Sequence, residues 1–127
     1  MPSPIETVEA FLAECAPSKE SMVAAFRRYF TPATVWENVG LVTTTGVEEA
    51  LGLMAQFESS IGMASMRAET LAIAARGNMV LTERIDYLLR ADGSEALAIR
   101  LMGVFEVEGD HIVAWRDYFD TASVNGG

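Results

Sequence analysis

Two stretches of this chain decide its expected fold: Leu81-Thr82-Glu83-Arg84-Ile85-Asp86-Tyr87 and Ala114-Trp115-Arg116-Asp117-Tyr118-Phe119-Asp120. Each lies inside an apolar run that is typical of a β-strand. Because side chains alternate between the faces of a strand, Arg84 and Asp86 share one face. By the same rule, Asp117 points to the same side as Val113, Trp115 and Phe119, which we expect to face inwards into an apolar region. A buried carboxylate is costly unless it is paired or protonated, and two carboxylates with one arginine in a single cavity meet that requirement.

The two stretches belong to a series of four long predicted strands in the second half of the chain. These strands are expected at residues 66–76, 79–90, 96–107 and 111–119. The short segments between them contain glycine, and consecutive strands joined by such turns form antiparallel hairpins. The second half of the chain therefore predicts a mainly antiparallel sheet.

The first part of the chain predicts helices. Ser3-Pro4-Ile5-Glu6 is a capping box that begins the first helix, and Pro17 ends this helix. Ser18 can cap a second helix, which Thr31-Pro32 stops. A further capping box at Thr45-Gly46-Val47-Glu48 predicts the start of a third helix.

The segment between the second and third helices is β-rich in composition. Residues 34–39 predict a short strand, whereas residues 41–45 fit either a second short strand or a loop. Helices followed by a series of hairpins define an α+β fold, and we expect one domain over residues 1–127. A sheet of this length with helices on one face should curl and enclose a pocket, which is the expected binding site.

The amino-acid composition argues against several classes of binding partner for this domain. Half of the 127 residues are hydrophobic, and the formal net charge of −9 argues against nucleic acid and against an anionic membrane surface. No apolar stretch reaches the roughly 20 residues that span a bilayer, and the first residues lack the order of a signal peptide, so the expected location is the cytoplasm. The single cysteine, Cys15, is expected in the core, and the sequence offers no ligand cluster for a metal.

Several polar residues could converge on one cavity. Trp36 and Asn38 share a face of the early strand, while Arg84, Asp86 and Asp117 lie on the inward faces of two later strands. Charge pairing with arginine lowers the pKa of a carboxyl group, whereas desolvation and a second carboxylate raise it. One proton can then be shared, which leaves a general base beside a general acid. The amide of Asn38 is suited to orienting a water molecule.

These motifs resemble the limonene-1,2-epoxide hydrolase family, whose cone-shaped fold is shared with nuclear transport factor 2, ketosteroid isomerases and polyketide cyclases. The resemblance covers most of the chain and is strongest at residues 81–86, at Gly103-Val104-Phe105 and at residues 115–120. It implies N-terminal helices packed on a strongly curved, mainly antiparallel mixed sheet that forms a cone with an internal pocket. It also implies a homodimer that acts on a small lipophilic epoxide and water without a cofactor.

Matching the family's motifs residue by residue implies a one-step mechanism. Asp117 deprotonates a water held by Asn38, and Asp86 protonates the epoxide oxygen as the ring opens to a vicinal diol. Arg84 bridges the two carboxylates and holds them in position. The family has a tyrosine that helps to hold the water where this chain has Trp36, whose indole N–H can donate to a water but cannot accept from it.

The same residues admit plainer interpretations. Arg84 and Asp86 could form an ordinary salt bridge on a solvated face, and Asp117 could lie on the surface. Asn38 could satisfy backbone groups at a strand end, and Trp36 could be only a pocket wall. An isomerase or cyclase of the same fold would use one aspartate as a base, and a non-catalytic binding domain would need neither aspartate.

Methionines suit a core or an adaptable pocket. The side chains expected to line the substrate pocket are Met54, Met66, Met102 and Phe119.

Overall fold

The computed structural model describes residues 2–123, and the expected domain limits at residues 1 and 127 lie outside this part. The described residues form three α-helices, six strands and a short 3₁₀ turn. The helices are α1 (Pro4–Cys15), α2 (Lys19–Tyr29) and α3 (Val47–Ile61). The strands are β1 (Phe30–Asn38), β2 (Val42–Thr45), β3 (Ser65–Arg76), β4 (Met79–Leu89), β5 (Glu95–Glu108) and β6 (His111–Phe119).

The first two helices begin at the serines that the sequence indicates. Ser3 Oγ accepts a hydrogen bond from the Glu6 N–H at 3.1 Å, and Glu6 Oε1 accepts one from the Ser3 N–H at 2.8 Å, so the predicted capping box is present. Ser18 caps α2 through the same pair of bonds with Ser21. The second helix ends earlier than predicted, because the chain turns into β1 already at Phe30.

The capping box predicted for the third helix is wrong by one residue. Gly46 is the N-cap of α3, and the Thr45 N–H donates to Glu49 Oε1 at 2.9 Å, not to Glu48. A glycine is required at this position because its φ is +85° and a Cβ there would clash with the carbonyl oxygen of Pro32. The N–H of Gly46 itself donates to the Thr34 carbonyl at 2.8 Å, so no capping box is formed at α3.

The strands form one sheet whose order is β2-β1-β6-β5-β4-β3. Neighbouring strands are antiparallel except for β1 and β6, which run parallel and make the sheet mixed. The undecided segment 41–45 contains the edge strand β2. Helix α2 contacts both β1 and β3, which lie toward opposite ends of this order, so the sheet must curl around the helices. The predicted α+β architecture with a curved mixed sheet is confirmed.

A bulge in β6 changes which side chains of this strand face inwards. The register with β5 shifts between the pair Glu106–Ala114 and the pair Val107–Ile112, which leaves Val113 as an extra residue. Ile112 is fully buried and takes the inward position. The expectation that simple alternation places Val113 inwards is therefore wrong at this point, although Trp115 beyond the bulge does face inwards.

Aromatic rings from the helices and the sheet build the core. Phe11 of α1 lies with its ring centroid 5.5 Å from that of Phe26 on α2 and 5.4 Å from that of Trp115 on β6. Cys15 is buried beside them, and burial raises the pKa of its thiol, as suits the core residue that the sequence predicts. Within residues 2–123, no helix has both the length and the apolar character needed to cross a membrane.

Candidate active site

Strand register brings the two acidic motifs together. Asn38 of β1 lies opposite Asp117 of β6, and Gly103 of β5 lies on the other side of Asp117. Beyond Gly103 comes Thr82 of β4, two residues before Arg84. Directly opposed residues on neighbouring strands point to the same face of the sheet. The inward faces of β1, β6 and β4 therefore present their polar side chains to one region.

Arg84 joins the two carboxylates. Its Nε donates to Asp86 Oδ1 at 3.1 Å and its Nη2 donates to Asp86 Oδ2 at 2.8 Å, while Nη2 also lies 3.1 Å from Asp117 Oδ2. Its Nη1 donates to Thr82 Oγ1 at 2.9 Å, and this hydroxyl donates to the Gly103 carbonyl at 3.0 Å. The exposed fractions of Arg84, Asp86 and Asp117 are 0%, 3% and 4%. A solvated salt bridge and a surface position for Asp117 are therefore both excluded.

Gly103 makes this pairing possible, and the sequence reasoning assigned it no role. It sits in the sheet between Thr82 and Asp117, below the guanidinium of Arg84. A Cβ added to Gly103 would clash with Asp117 Oδ1 and with Arg84 Nη1. A glycine in the interior of a strand usually marks a place where another group approaches closely, which is the signal that could have identified it.

Trp115 is a second functional residue whose role the sequence reasoning missed. Its indole N–H donates to Asp117 Oδ1 at 2.8 Å, so this carboxylate receives hydrogen bonds from both Trp115 and Arg84. The ring of Trp115 is stacked between Phe105 and Trp36, at centroid distances of 5.2 and 5.0 Å. The stack holds the indole edge in place, and the indole in turn orients Asp117.

Burial and charge oppose each other in this cluster. Removal from water raises the pKa of Asp117, Arg84 lowers it and Asp86 raises it further, and the net effect is a pKa raised to about 6. Burial acts to lower the pKa of Arg84, but Asp117 and Asp86 outweigh it, so this pKa is raised and the guanidinium stays charged. One cation with two ionised carboxylates is net negative, and a single shared proton neutralises the cluster.

The carboxylates border a cavity of about 340 Å³ that lies between the sheet and the helices. Trp36 and Asn38 border the same cavity. Trp36 Nε1 and Asn38 Nδ2 are buried, and neither atom has a hydrogen-bond partner within residues 2–123. Because buried polar groups nearly always have a partner, these two donors indicate that a water or a polar atom of a ligand binds beside Asp117.

The rest of the cavity wall is mostly apolar. It includes two of the predicted pocket residues, Met66 and Phe119. Among its other members are Met22, Leu53, Phe57, Met63, Leu88, Leu97, Ile99 and Leu101.

Two of the predicted pocket residues lie elsewhere. Met102 is 53% exposed on the opposite face of the sheet, because it alternates with the inward positions Leu101 and Gly103 on β5. Met54 is buried on α3 but borders a second hollow between α2 and α3. Its neighbour Leu53 takes the position in the cavity wall instead. The expectation that Met54 and Met102 line the substrate cavity is therefore wrong.

Acidic, histidine and cysteine side chains do not gather into a group able to hold a metal ion in the part of the chain that the structure describes. The carboxylates of Asp86 and Asp117 are instead occupied by Arg84. The expectation of a site without metal or cofactor stays a prediction.

The helices on a curled mixed sheet give this chain the fold of NTF2-like and SnoaL-like proteins. An NTF2-like protein from Cytophaga hutchinsonii superposes with a TM-score of 0.75 at 14% identity, covering 98% of this chain and 96% of that one. A putative SnoaL-like polyketide cyclase from Jannaschia sp. superposes with a TM-score of 0.74 at 15% identity, covering 96% and 88% of the two chains. At such identities the likeness shows the fold alone.

The chain belongs to the limonene-1,2-epoxide hydrolase catalytic-domain family, whose model matches residues 2–125. The structure of an LEH-like epoxide hydrolase from Mycobacterium tuberculosis superposes with a TM-score of 0.74 at 30% identity, covering 97% of this chain and 86% of that one. Epoxide hydrolase EphG from the same organism is 36% identical over 86 residues, which are 68% of this chain and 54% of that protein. The matched segment thus spans about half the length of that relative.

Proposed function

We propose that this protein is an epoxide hydrolase that adds water to a lipophilic epoxide in one step and gives a vicinal diol. The observation that carries the proposal is the buried Asp86–Arg84–Asp117 cluster beside two unpartnered donors, Trp36 Nε1 and Asn38 Nδ2, at one cavity. Family membership supports the same reaction. The proposed chemistry uses protons and water only, so it requires no cofactor.

The first part of the proposed step is water activation. A water bound next to Asn38 accepts a hydrogen bond from the Trp36 N–H and donates one to Asp117. Asp117 takes the proton of this water while the water oxygen forms a bond to an epoxide carbon. A carboxyl group with a pKa of about 6 is a stronger base than an ordinary aspartate and is still mostly ionised at neutral pH.

The second part of the step is opening of the ring. The carbon–oxygen bond at the attacked carbon breaks, and Asp86 donates its proton to the oxygen that leaves. Each turnover therefore ends with the proton on Asp117 and with Asp86 ionised. One proton must return from Asp117 to Asp86 before the next turnover begins. Arg84 contacts both carboxylates in either arrangement, and its positive charge keeps the cluster neutral throughout.

The apolar wall of the cavity supports a lipophilic substrate. Met66, Leu101 and Phe119 line the same cavity as the two carboxylates, so the epoxide is the polar end of an otherwise apolar molecule. A cavity of about 340 Å³ falls at the small end of the range of ligand pockets, which extends from roughly 300 to 1,000 Å³.

The proposal is tested by single-turnover hydrolysis in H₂¹⁸O with limonene oxide and cyclohexene oxide, read by mass spectrometry. Direct attack by water places the label in the diol during the first turnover. Asp117→Asn and Asp86→Asn should each lower kcat by about 100-fold or more, because each removes one partner of general acid–base catalysis. Glu83→Gln is the matched control, since Glu83 lies on the outer face of β4 next to Arg84.

Two results would contradict the proposal. If a folded Asp117→Asn or Asp86→Asn protein kept more than a tenth of the activity, the paired roles would be wrong. If no epoxide yielded a diol, an isomerase or cyclase reaction or simple ligand binding would become the better interpretation. Circular dichroism of each variant checks that the fold survives.

A further inference from the structure

Met63 borders two separate hollows of the molecule. One is the catalytic cavity of about 340 Å³, and the other is a hollow of about 260 Å³ between α2 and α3. Met63 is 4% exposed, and within residues 2–123 it is the one residue that the linings of the two hollows share. It directly follows Gly62, whose left-handed φ of 76° ends α3 and turns the chain toward the sheet.

Other residues of the two helices show that the hollows are close neighbours. Met22 borders the catalytic cavity and the next residue, Val23, borders the second hollow. In the same way Leu53 borders the catalytic cavity and Met54 the second hollow. Adjacent residues on a helix point in directions about 100° apart, so the same stretch of each helix contributes to both walls. Met63, which follows α3, borders both hollows at this place.

The second hollow has a character that suits an alkyl chain. Val23, Leu51 and Met54 make its floor and walls apolar. Lys19 at its rim is paired with Glu58 at 2.8 Å, so this charge is neutralised within the protein. Arg27, which also borders the hollow, is paired with Glu48 at 2.7 Å, so an apolar group that enters the hollow meets no unpaired charge there.

We propose that Met63 is the residue that limits the length of substrate in the catalytic cavity. This inference rests on the proposed function, because it places the epoxide at Asp86 and Asp117 and the rest of the substrate along the cavity toward Met63. Straight-chain terminal epoxides that fit within the cavity are substrates, and longer ones are blocked by the Met63 side chain. Removal of this side chain joins the hollows and admits the longer chains.

The experiment compares Met63→Ala with Met66→Ala on a series of 1,2-epoxyalkanes from hexane to tetradecane. Met66 is the matched control, because it is equally buried, loses the same atoms and borders the catalytic cavity but not the second hollow. In Met63→Ala each further methylene that enters the second hollow should raise kcat/KM by about 4-fold, and three of them by about 60-fold. Met66→Ala should raise kcat/KM only for those longer epoxides whose extra atoms fit into the space that the Met66 side chain leaves.

A second substitution reverses the effect if the inference is right. Ala55 is exposed on α3 and borders only the second hollow, so Ala55→Phe fills this hollow from outside the catalytic cavity. Met63→Ala/Ala55→Phe should lose the long-chain gain and keep the short-chain rate of Met63→Ala. Equal chain-length profiles for Met63→Ala and Met66→Ala would overturn the inference, as would a gain that Ala55→Phe does not remove.

Binding of alkane-1,2-diols separates a failure of this inference from a failure of the proposed function. Trp36 and Trp115 are the only tryptophans of the chain, and both border the catalytic cavity, so their fluorescence reports its occupation without any turnover. Longer diols should bind Met63→Ala more tightly than Met66→Ala even if no epoxide is hydrolysed. If Met63→Ala does not fold, Met63→Val gives a smaller opening and a smaller shift in the same direction. If epoxides are hydrolysed but neither assay shows a shift, the inference alone fails.

Discussion

The Arg84 guanidinium shows how single residues determine the chemistry of this site. Its three nitrogens donate hydrogen bonds to two carboxylates and one hydroxyl, and all of these groups are buried. Breaking a buried ion pair by removing one partner costs about 3–5 kcal/mol, because it leaves an uncompensated charge. Arg84, Asp86 and Asp117 are therefore coupled, and the substitutions at these positions should not be additive.

Substitution of Gly103 tests the geometry of the cluster without changing a charged residue. Gly103→Ala places a methyl group against Asp117 Oδ1 and Arg84 Nη1, so we expect it to lower kcat by about 100-fold through displacement of the carboxylate. Overpacking should also lower the free energy of unfolding by about 1–3 kcal/mol. Gly52→Ala is the control, since a Cβ at Gly52 in α3 meets no atom within 4 Å. Normal activity in Gly103→Ala would show that the close approach is unimportant.

The raised pKa of Asp117 predicts a pH dependence of the reaction. Asp117 must be ionised to accept a proton from water, so kcat/KM should fall as the pH decreases through about 6. An ordinary aspartate would keep its activity down to about pH 4. The measurement is kcat/KM from pH 4.5 to 8, with circular dichroism at each pH to exclude unfolding. A rate that stays constant down to pH 5 would contradict Asp117 as a base with this pKa.

At the scale of elements, the parallel pairing of β1 with β6 determines the site. It sets Trp36 beside Trp115 and Asn38 beside Asp117, although the two members of each pair lie 79 positions apart in the chain. The hairpins β3–β4, β4–β5 and β5–β6 follow from local turns. The pairing of β1 does not, because a parallel neighbour must come from a distant part of the chain.

The first helix offers a test of a local prediction. Ser3→Ala removes the acceptor of the Glu6 N–H, and we expect it to lower the free energy of unfolding by about 1 kcal/mol. Ser59→Ala on the exposed side of α3 should change this free energy by less than about 0.5 kcal/mol. Both are measured by urea unfolding. Equal effects of the two substitutions would mean that the capping box does not stabilise α1 in the folded protein.

The whole molecule is held together by aromatic packing between the helices and the curled sheet. Phe11 contacts rings from α2, β1, β5 and β6, at centroid distances from 5.4 to 6.4 Å. The same packing supports the Trp115 ring that orients Asp117. The fold and the site thus share their most buried residues.

Homodimer formation remains a prediction, and its test is sedimentation velocity of the purified chain.

Truncation of Phe11 should destabilise the molecule more than any surface change. Phe11→Ala leaves a cavity among five aromatic rings and is expected to lower the free energy of unfolding by about 3–5 kcal/mol. Phe119→Ala is the comparison, since Phe119 is only half-buried at the cavity wall and should cost less. Urea unfolding of both variants gives the two values. A cost at Phe11 no larger than that at Phe119 would show that the aromatic core is not the main stabilising contact.

Local patterns in the sequence predicted most of the elements, the α+β class and the faces of β4 and β6 that carry Arg84, Asp86 and Asp117, but left the edge strand β2 undecided. These features follow from local rules, because alternation, capping and glycine turns act over a few residues. The sequence did not determine the position of Met54 or Met102, the bulge at Val113, or the roles of Gly103 and Trp115. Those depend on which strands are neighbours and on how far the sheet curls, and only the packing of the whole chain decides both.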